Sequence, residues 1–275
     1  MTERLDHHGD AEVRGATHLV DLAVNVRVGT PPAWLAEVIR DTTGQLAAYP
    51  DPSVARAALA RRHAVPEDMV LPTSGGAEAF TLIARAIAAR RPLVVHPQFT
   101  EPEAALRRAG RVPDRHVLQA KSGFTLDPAA VDPRADLVLV GNPTNPTGVL
   151  HPRATLEALR ARGRVLVVDE AFADAIRGER ESLISPDLAG VLVLRSLTKT
   201  WGVAGLRAGY VVGDPDLVAA LAEQQSPWSV STPAAAVMAA TATPEALAEV
   251  ARVAETIARH RGHLVQALES IGLRP

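Results

Sequence analysis

Four short runs of almost uninterrupted aliphatic residues constrain this chain more than any other feature: Leu93-Val-Val-His96, Leu137-Val-Leu-Val140, Val165-Leu-Val-Val168 and Val191-Leu-Val-Leu194. A strand with one wet face alternates apolar and polar residues. A run without alternation has both faces covered, as in a parallel sheet between two layers of helices. Each run is bounded by Pro, Gly or charged residues, and helix-length patterns lie between them, at about Ala77 to Ala89, Pro102 to Ala109 and Arg153 to Arg162. The alternation predicts an α/β fold, a mostly parallel (mixed) sheet sandwiched by helices.

Composition narrows the function classes. A chain of 275 residues can bury one large core or two modest ones. Hydrophobic residues make up 47%, yet no window holds the long uncharged run of a membrane span. The opening Met1-Thr-Glu-Arg-Leu-Asp-His-His8 is polar where a signal peptide is apolar. With no cysteine, disulfides and thiolate metal sites are excluded, and a cytoplasmic location is expected. A formal charge of −2 gives no electrostatic reason to expect nucleic acid. None of the nine histidines forms a His-Glu-x-x-His pattern, so no metal is predicted.

The polar residues that could carry chemistry fall just past the strand ends, where an open α/β sheet places its ligands. Lys199 follows the fourth run, with Ser196 and Thr198 before it and Arg207 after it. One amine thus sits beside hydroxyls and a guanidinium able to hold a phosphate. Asp169 ends the third run, and a carboxylate there needs a charged partner to stay ionised. It also reads as a helix N-cap. Asn145 lies in Gly141-Asn-Pro-Thr-Asn-Pro-Thr-Gly148, a rigid double-proline turn after a buried strand. Thr73-Ser-Gly-Gly-Ala77 joins a strand to a helix and frees backbone amides to close on an anion. An ordinary loop would read the same way. Phe99, in His96-Pro-Gln-Phe99, is either core or a flat face for a ring. Together these parts suit pyridoxal phosphate: an amine for its aldehyde, a carboxylate for its ring nitrogen, an amide for its phenolic oxygen and donors for its phosphate.

Taken in order, Gly-Gly-Ala, Asn-Pro-Thr-Gly, Asp-Glu-Ala-Phe and Ser-Leu-Thr-Lys with an arginine eight residues on resemble the fold-type I pyridoxal-phosphate enzymes of the class I/II aminotransferase superfamily. The likeness runs from Asp21 to about Ser231. It implies that Lys199 bonds the cofactor and later moves the proton on the substrate's α-carbon. Asp169 would hold the ring nitrogen and Asn145 the phenolic oxygen. Gly76, Ala77, Ser196, Thr198 and Arg207 would hold the phosphate, with Phe99 stacked on the ring. Tyr49, in Tyr49-Pro-Asp-Pro52, resembles a tyrosine that reaches the cofactor phosphate of a neighbouring subunit, which implies a homodimer.

Within the superfamily the sequence is most similar to the threonine-phosphate decarboxylases of cobalamin biosynthesis and to the histidinol-phosphate aminotransferases. His8-Gly9-Asp10, Phe172 and Gln224-Gln-Ser-Pro-Trp-Ser-Val230 resemble the decarboxylases. Asn25, in Asp21-Leu-Ala-Val-Asn25, matches a substrate-facing asparagine of both groups, and His8 falls in the same substrate category. A small phosphorylated amino acid or amine is therefore the implied substrate, for a decarboxylase first and a histidinol-phosphate type of aminotransferase second, with a relative that binds the cofactor without catalysis as a further alternative. The resemblance divides the chain into an N-terminal arm and small-domain segment (1–44), a cofactor-binding large domain (45–245) and the start of a C-terminal small domain (246–275). Family members continue past the position of Pro275 into a segment with substrate-gripping arginines. Arg252, Arg259 and Arg261 lie on one long predicted helix, Pro244 to Ile271, and read as solvated rather than as substitutes.

Overall fold

The computed structural model describes Leu5, His18, Leu19, residues 25–273 and Pro275. Seven strands form one sheet: β1 (Val70–Thr73), β2 (Pro92–His96), β3 (Asp114–Val117), β4 (Leu137–Gly141), β5 (Val165–Asp169), β6 (Val191–Ser196) and β7 (Gly209–Gly213). Their order is β1-β7-β6-β5-β4-β2-β3. β2 to β6 pair parallel with their neighbours, while β7 runs antiparallel to both β1 and β6. The sheet is thus mixed and mostly parallel, as the apolar runs require.

Helices α1 (Ala33–Asp41), α2 (Ser53–His63), α3 (Gly75–Ala86), α4 (Glu101–Arg108), α5 (Arg153–Glu157), α6 (Pro215–Glu223), α7 (Thr232–Thr241) and α8 (Pro244–Ser270) cover the sheet. Successive strand residues point to opposite layers. Val138, Val140, Leu166, Val168, Val191 and Val193 pack with Leu35, Leu59, Val237 and Met238 of α1, α2 and α7. Leu137, Leu139, Val167, Leu192 and Leu194 pack with Phe80, Ile83, Leu106 and Leu221 of α3, α4 and α6. Both faces are therefore dry, which is why the strands lack polar alternation.

The long C-terminal helix starts where its sequence dictates. The Thr243 hydroxyl accepts from the Ala246 amide at 3.3 Å, and Pro244 occupies the first turn, where no amide hydrogen is needed. Ala246, Val250 and Ala254 recur every four residues and bury one stripe. Arg252, Arg259 and Arg261 are exposed, in keeping with the solvated reading. The helix expected from Arg153 to Arg162 is shorter, ending at Glu157. Past its end the Arg164 guanidinium donates to the Leu159 carbonyl at 2.9 Å, and it ties this loop to the Ala135 and Asp132 carbonyls ahead of β4. Among the described residues no helix is long and apolar enough to cross a membrane.

Candidate active site

The parallel strands end together, and their last residues bring the predicted groups to one edge. Gly141 of β4 pairs with Asp169 of β5, and the Asn142 amide donates to the Asp169 carbonyl at 2.8 Å. Asn142 then closes the following loop, its side chain accepting from the His151 amide at 2.7 Å and donating to the His151 carbonyl at 3.1 Å. The Thr144 hydroxyl donates to the Gly141 carbonyl at 2.7 Å, and Gly148 N–H to the Thr144 carbonyl at 2.7 Å. This bonding holds half-buried Asn145 at the tip of a fixed turn beside the end of β5.

Asp169 shares the sheet face of Val167 and so lies on the α3 side. Its carboxylate accepts one backbone bond, from Ala171 N–H at 3.1 Å. Burial pushes its pKa up to about 6, against the pull of that bond and of the nearby Lys199 ammonium. The carboxyl keeps part of its surface open, so a cation arriving there gains a partner that water cannot provide as well. The protonated nitrogen of a pyridine ring is such a cation. The Lys199 amine stands 5.9 Å from the centroid of the Phe172 ring, three residues past Asp169.

An anion cradle lies on the same side. Gly75 opens α3 with φ +75°, in the left-handed region where a side chain is strained. The Arg207 guanidinium packs against it, so closely that a Cβ at position 75 would stand 2.6 Å from Nη2. Above Gly76 a Cβ would meet nothing within 4 Å, so the space over the first turn is open. Ser196 and Thr198 face each other with hydroxyl oxygens 2.8 Å apart. Where β6 returns to β7, a Cβ on Gly209 would lie 3.0 Å from the Gly75 backbone. Helix amides, two hydroxyls and one guanidinium around open space are the donor set for a phosphate dianion.

The remaining predicted residues are placed less centrally. Phe99 lies on the loop after β2 at the same sheet end, 37% exposed. Asn25 is exposed; two residues later the Arg27 amide donates to the Lys199 carbonyl at 3.0 Å, so this segment crosses the lysine loop. Gly202, at φ +62°, lies so close to Thr30 that a Cβ there would collide with its side chain. Tyr49 turns outward, 76% exposed, and stacks on Trp228 with ring centroids 4.2 Å apart and planes 22° from parallel. His8 lies outside the described residues. Sequence reasoning took the Gly75-Gly76 pair as an anion loop but missed the Gly75–Arg207 contact and the Tyr49–Trp228 stack. The Gly75-Gly76 pair and the aromatic in Pro227-Trp228 were the available signals.

An α/β sheet that gathers a lysine, a destabilised carboxylate and a phosphate cradle at its strand ends defines a cofactor-dependent enzyme scaffold. Residues 17–275 match the family model for aminotransferase class I and II, and the chain belongs to that family. It is 47% identical over 269 residues to a histidinol-phosphate aminotransferase of Mycobacterium tuberculosis, covering 97% of this chain and 72% of that protein. It is 34% identical over 228 residues to the threonine-phosphate decarboxylase of Salmonella typhimurium, covering 79% of this chain and 63% of that one. The fold is similar to aspartate aminotransferase from Thermus thermophilus, with a TM-score of 0.84 and 26% identity over 96% of this chain and 77% of that one. Enzymes of this family depend on pyridoxal phosphate, and the residues at the strand ends fit that group.

Proposed function

We propose that this chain acts on a small phosphorylated amino acid by removing its carboxylate, in the manner of threonine-phosphate decarboxylation. The cofactor class rests on one observation above the others: Asp169 is raised to about 6 by burial, feels the Lys199 ammonium, and ends its strand at the same sheet edge as the Gly75–Arg207 cradle. When bound, pyridoxal phosphate accepts into its ring the electron pair released when a bond at the substrate's α-carbon breaks. Asp169 keeps the ring nitrogen protonated. Lys199 would hold the cofactor aldehyde and supply the amine that moves the proton at the α-carbon. Gly76, Ala77, Ser196, Thr198 and Arg207 would hold the phosphate, Asn145 would meet the phenolic oxygen and Phe99 would offer its ring to the cofactor's.

These groups serve loss of carbon dioxide and loss of a proton equally, because the outcome depends on which bond is held perpendicular to the ring. Two features support decarboxylation. Phe172 presents an apolar ring to Lys199, where many aminotransferases have a tyrosine hydroxyl. Trp228, in the decarboxylase-like stretch, stacks on Tyr49, the residue proposed to reach a neighbouring subunit's cofactor in a homodimer. The second reading, amino transfer to or from a histidinol-phosphate type of substrate, is favoured by the name of the relative at 47% identity.

Adding threonine phosphate to cofactor-loaded protein separates the two. Release of carbon dioxide with aminopropanol phosphate supports decarboxylation. Conversion of the cofactor to its amine form when histidinol phosphate is added instead, with no carbon dioxide released from threonine phosphate, overturns it in favour of transfer.

A further inference from the structure

On the sheet face opposite the cofactor-holding groups lies a cluster of five charged side chains that the proposed chemistry does not use. Arg195 of β6 is buried at 3% exposure. Its guanidinium donates to Asp174 Oδ1 at 2.5 Å, to Glu179 Oε2 at 2.5 Å and to Glu170 Oε2 at 3.3 Å. Arg62 of α2 donates to the same Asp174 and to Glu179, each at 2.9 Å. Glu170, 1% exposed, also accepts from the Ser182 hydroxyl at 2.7 Å and the Leu183 amide at 2.8 Å. His63 and Tyr210 complete the surroundings, ring nitrogen to hydroxyl at 2.9 Å. Burial and the two guanidiniums push His63 down to about 2, so it stays neutral.

Buried ion clusters are weak sources of stability, since an apolar core of the same volume does as well. Their placement is more informative. Glu170 directly follows Asp169, and Asp174 stands two residues beyond Phe172. Arg195 directly precedes Ser196, four residues before Lys199. All three carboxylates come from the segment that begins at Asp169, and one guanidinium from the lysine-bearing strand gathers them. The Glu170 amide donates to the Leu194 carbonyl at 2.9 Å, so the ion pair extends the β5–β6 ladder past its last paired residues.

We infer that the Arg195–Glu170 ion pair is a positioning device that fixes the spacing between the Asp169 carboxylate and the Lys199 amine. This rests on the reading of those two groups as the cofactor-holding pair. Neither Arg195 nor Glu170 touches the cofactor in this scheme. Their loss changes how well the cofactor is held and where its bound form titrates, through an altered distance between the two groups that do touch it.

The test compares wild type with Glu170→Gln, which keeps the side chain's shape and leaves two guanidiniums facing two carboxylates. Pyridoxal phosphate is titrated into each protein, and the bound absorbance is followed from pH 5 to 9. The expected result is about tenfold weaker cofactor affinity, the size of effect that follows loss of an outer support. A displaced pH midpoint should accompany it, while cofactor-free Glu170→Gln melts as wild type does. Arg195→Lys, which keeps the charge but not the three-way fork, should show the same effects. A folded variant with unchanged affinity and midpoint overturns the inference. So does failure of both variants to fold, since the cluster is then structural only. A wild-type protein that takes up no pyridoxal phosphate instead overturns the parent reading.

Discussion

The guanidinium of Arg207 occupies the place where a side chain on residue 75 would begin, with Nη2 2.6 Å from the position of a Cβ. Gly75 and Arg207 thus form, as a unit, one wall of the proposed phosphate cradle. Gly75→Ala should push the guanidinium aside and add about 1–2 kcal/mol of backbone strain at φ +75°. Cofactor affinity should fall by at least tenfold and the melting temperature by several degrees, read by fluorescence titration and calorimetry. Retained affinity would remove Arg207 from the cradle.

Asp169 offers a test in which stability and function oppose each other. Its carboxyl ionises near 4 in the unfolded chain but at about 6 in the fold. Between those values the folded protein keeps a proton that the unfolded chain has released, so stability falls as pH rises through the window. Two units correspond to roughly 3 kcal/mol, less whatever the partly open carboxyl recovers from water. Asp169→Asn should therefore melt higher than wild type at pH 8 without cofactor, match it near pH 4, and bind pyridoxal phosphate poorly. Thermal scans across that range decide; equal melting at pH 8 would deny the cost of burial.

Lys199 is the amine proposed to bond the cofactor aldehyde. Lys199→Ala should lose the yellow absorbance that borohydride otherwise fixes to the chain, with the label in wild type mapping to the peptide that contains residue 199. Labelling that survives the substitution would move the bond to another lysine.

Tyr49 and Trp228 make a paired prediction. Their rings lie 4.2 Å apart, so Trp228→Ala should free Tyr49 to move. Trp228→Ala and Tyr49→Phe should each weaken cofactor retention several-fold in a dimer that sedimentation finds intact. Normal retention in Tyr49→Phe would exclude the hydroxyl from the neighbouring site.

Much of the scaffold was legible because it follows local rules. The four apolar runs match β2, β4, β5 and β6 to within one or two residues, since a strand covered on both faces has to be apolar throughout. Asp169 and Lys199 stood out because a parallel sheet exposes its polar groups at strand ends. What escaped depends on distant pairs. No local pattern announces that Arg207 will lie on Gly75, or that Arg164 will join the loop after α5 to the segment ahead of β4. Arg195 reads as one more charge after a strand, until the fold brings Asp174, Glu179 and Glu170 around it.

The five-charge cluster also determines how this family member can vary. Removing Arg195 alone would leave buried Glu170 with no guanidinium, while Asp174 and half-buried Glu179 shared that of Arg62, a loss of about 3–5 kcal/mol by comparison with other broken buried pairs. Exchanging the whole set for well-packed apolar residues would cost far less, because no charge would be stranded. Substitutions at positions 62, 170, 174, 179 and 195 are therefore strongly non-additive. Single exchanges toward the apolar alternative pass through variants that fold worse than either end, which makes these five positions one epistatic block.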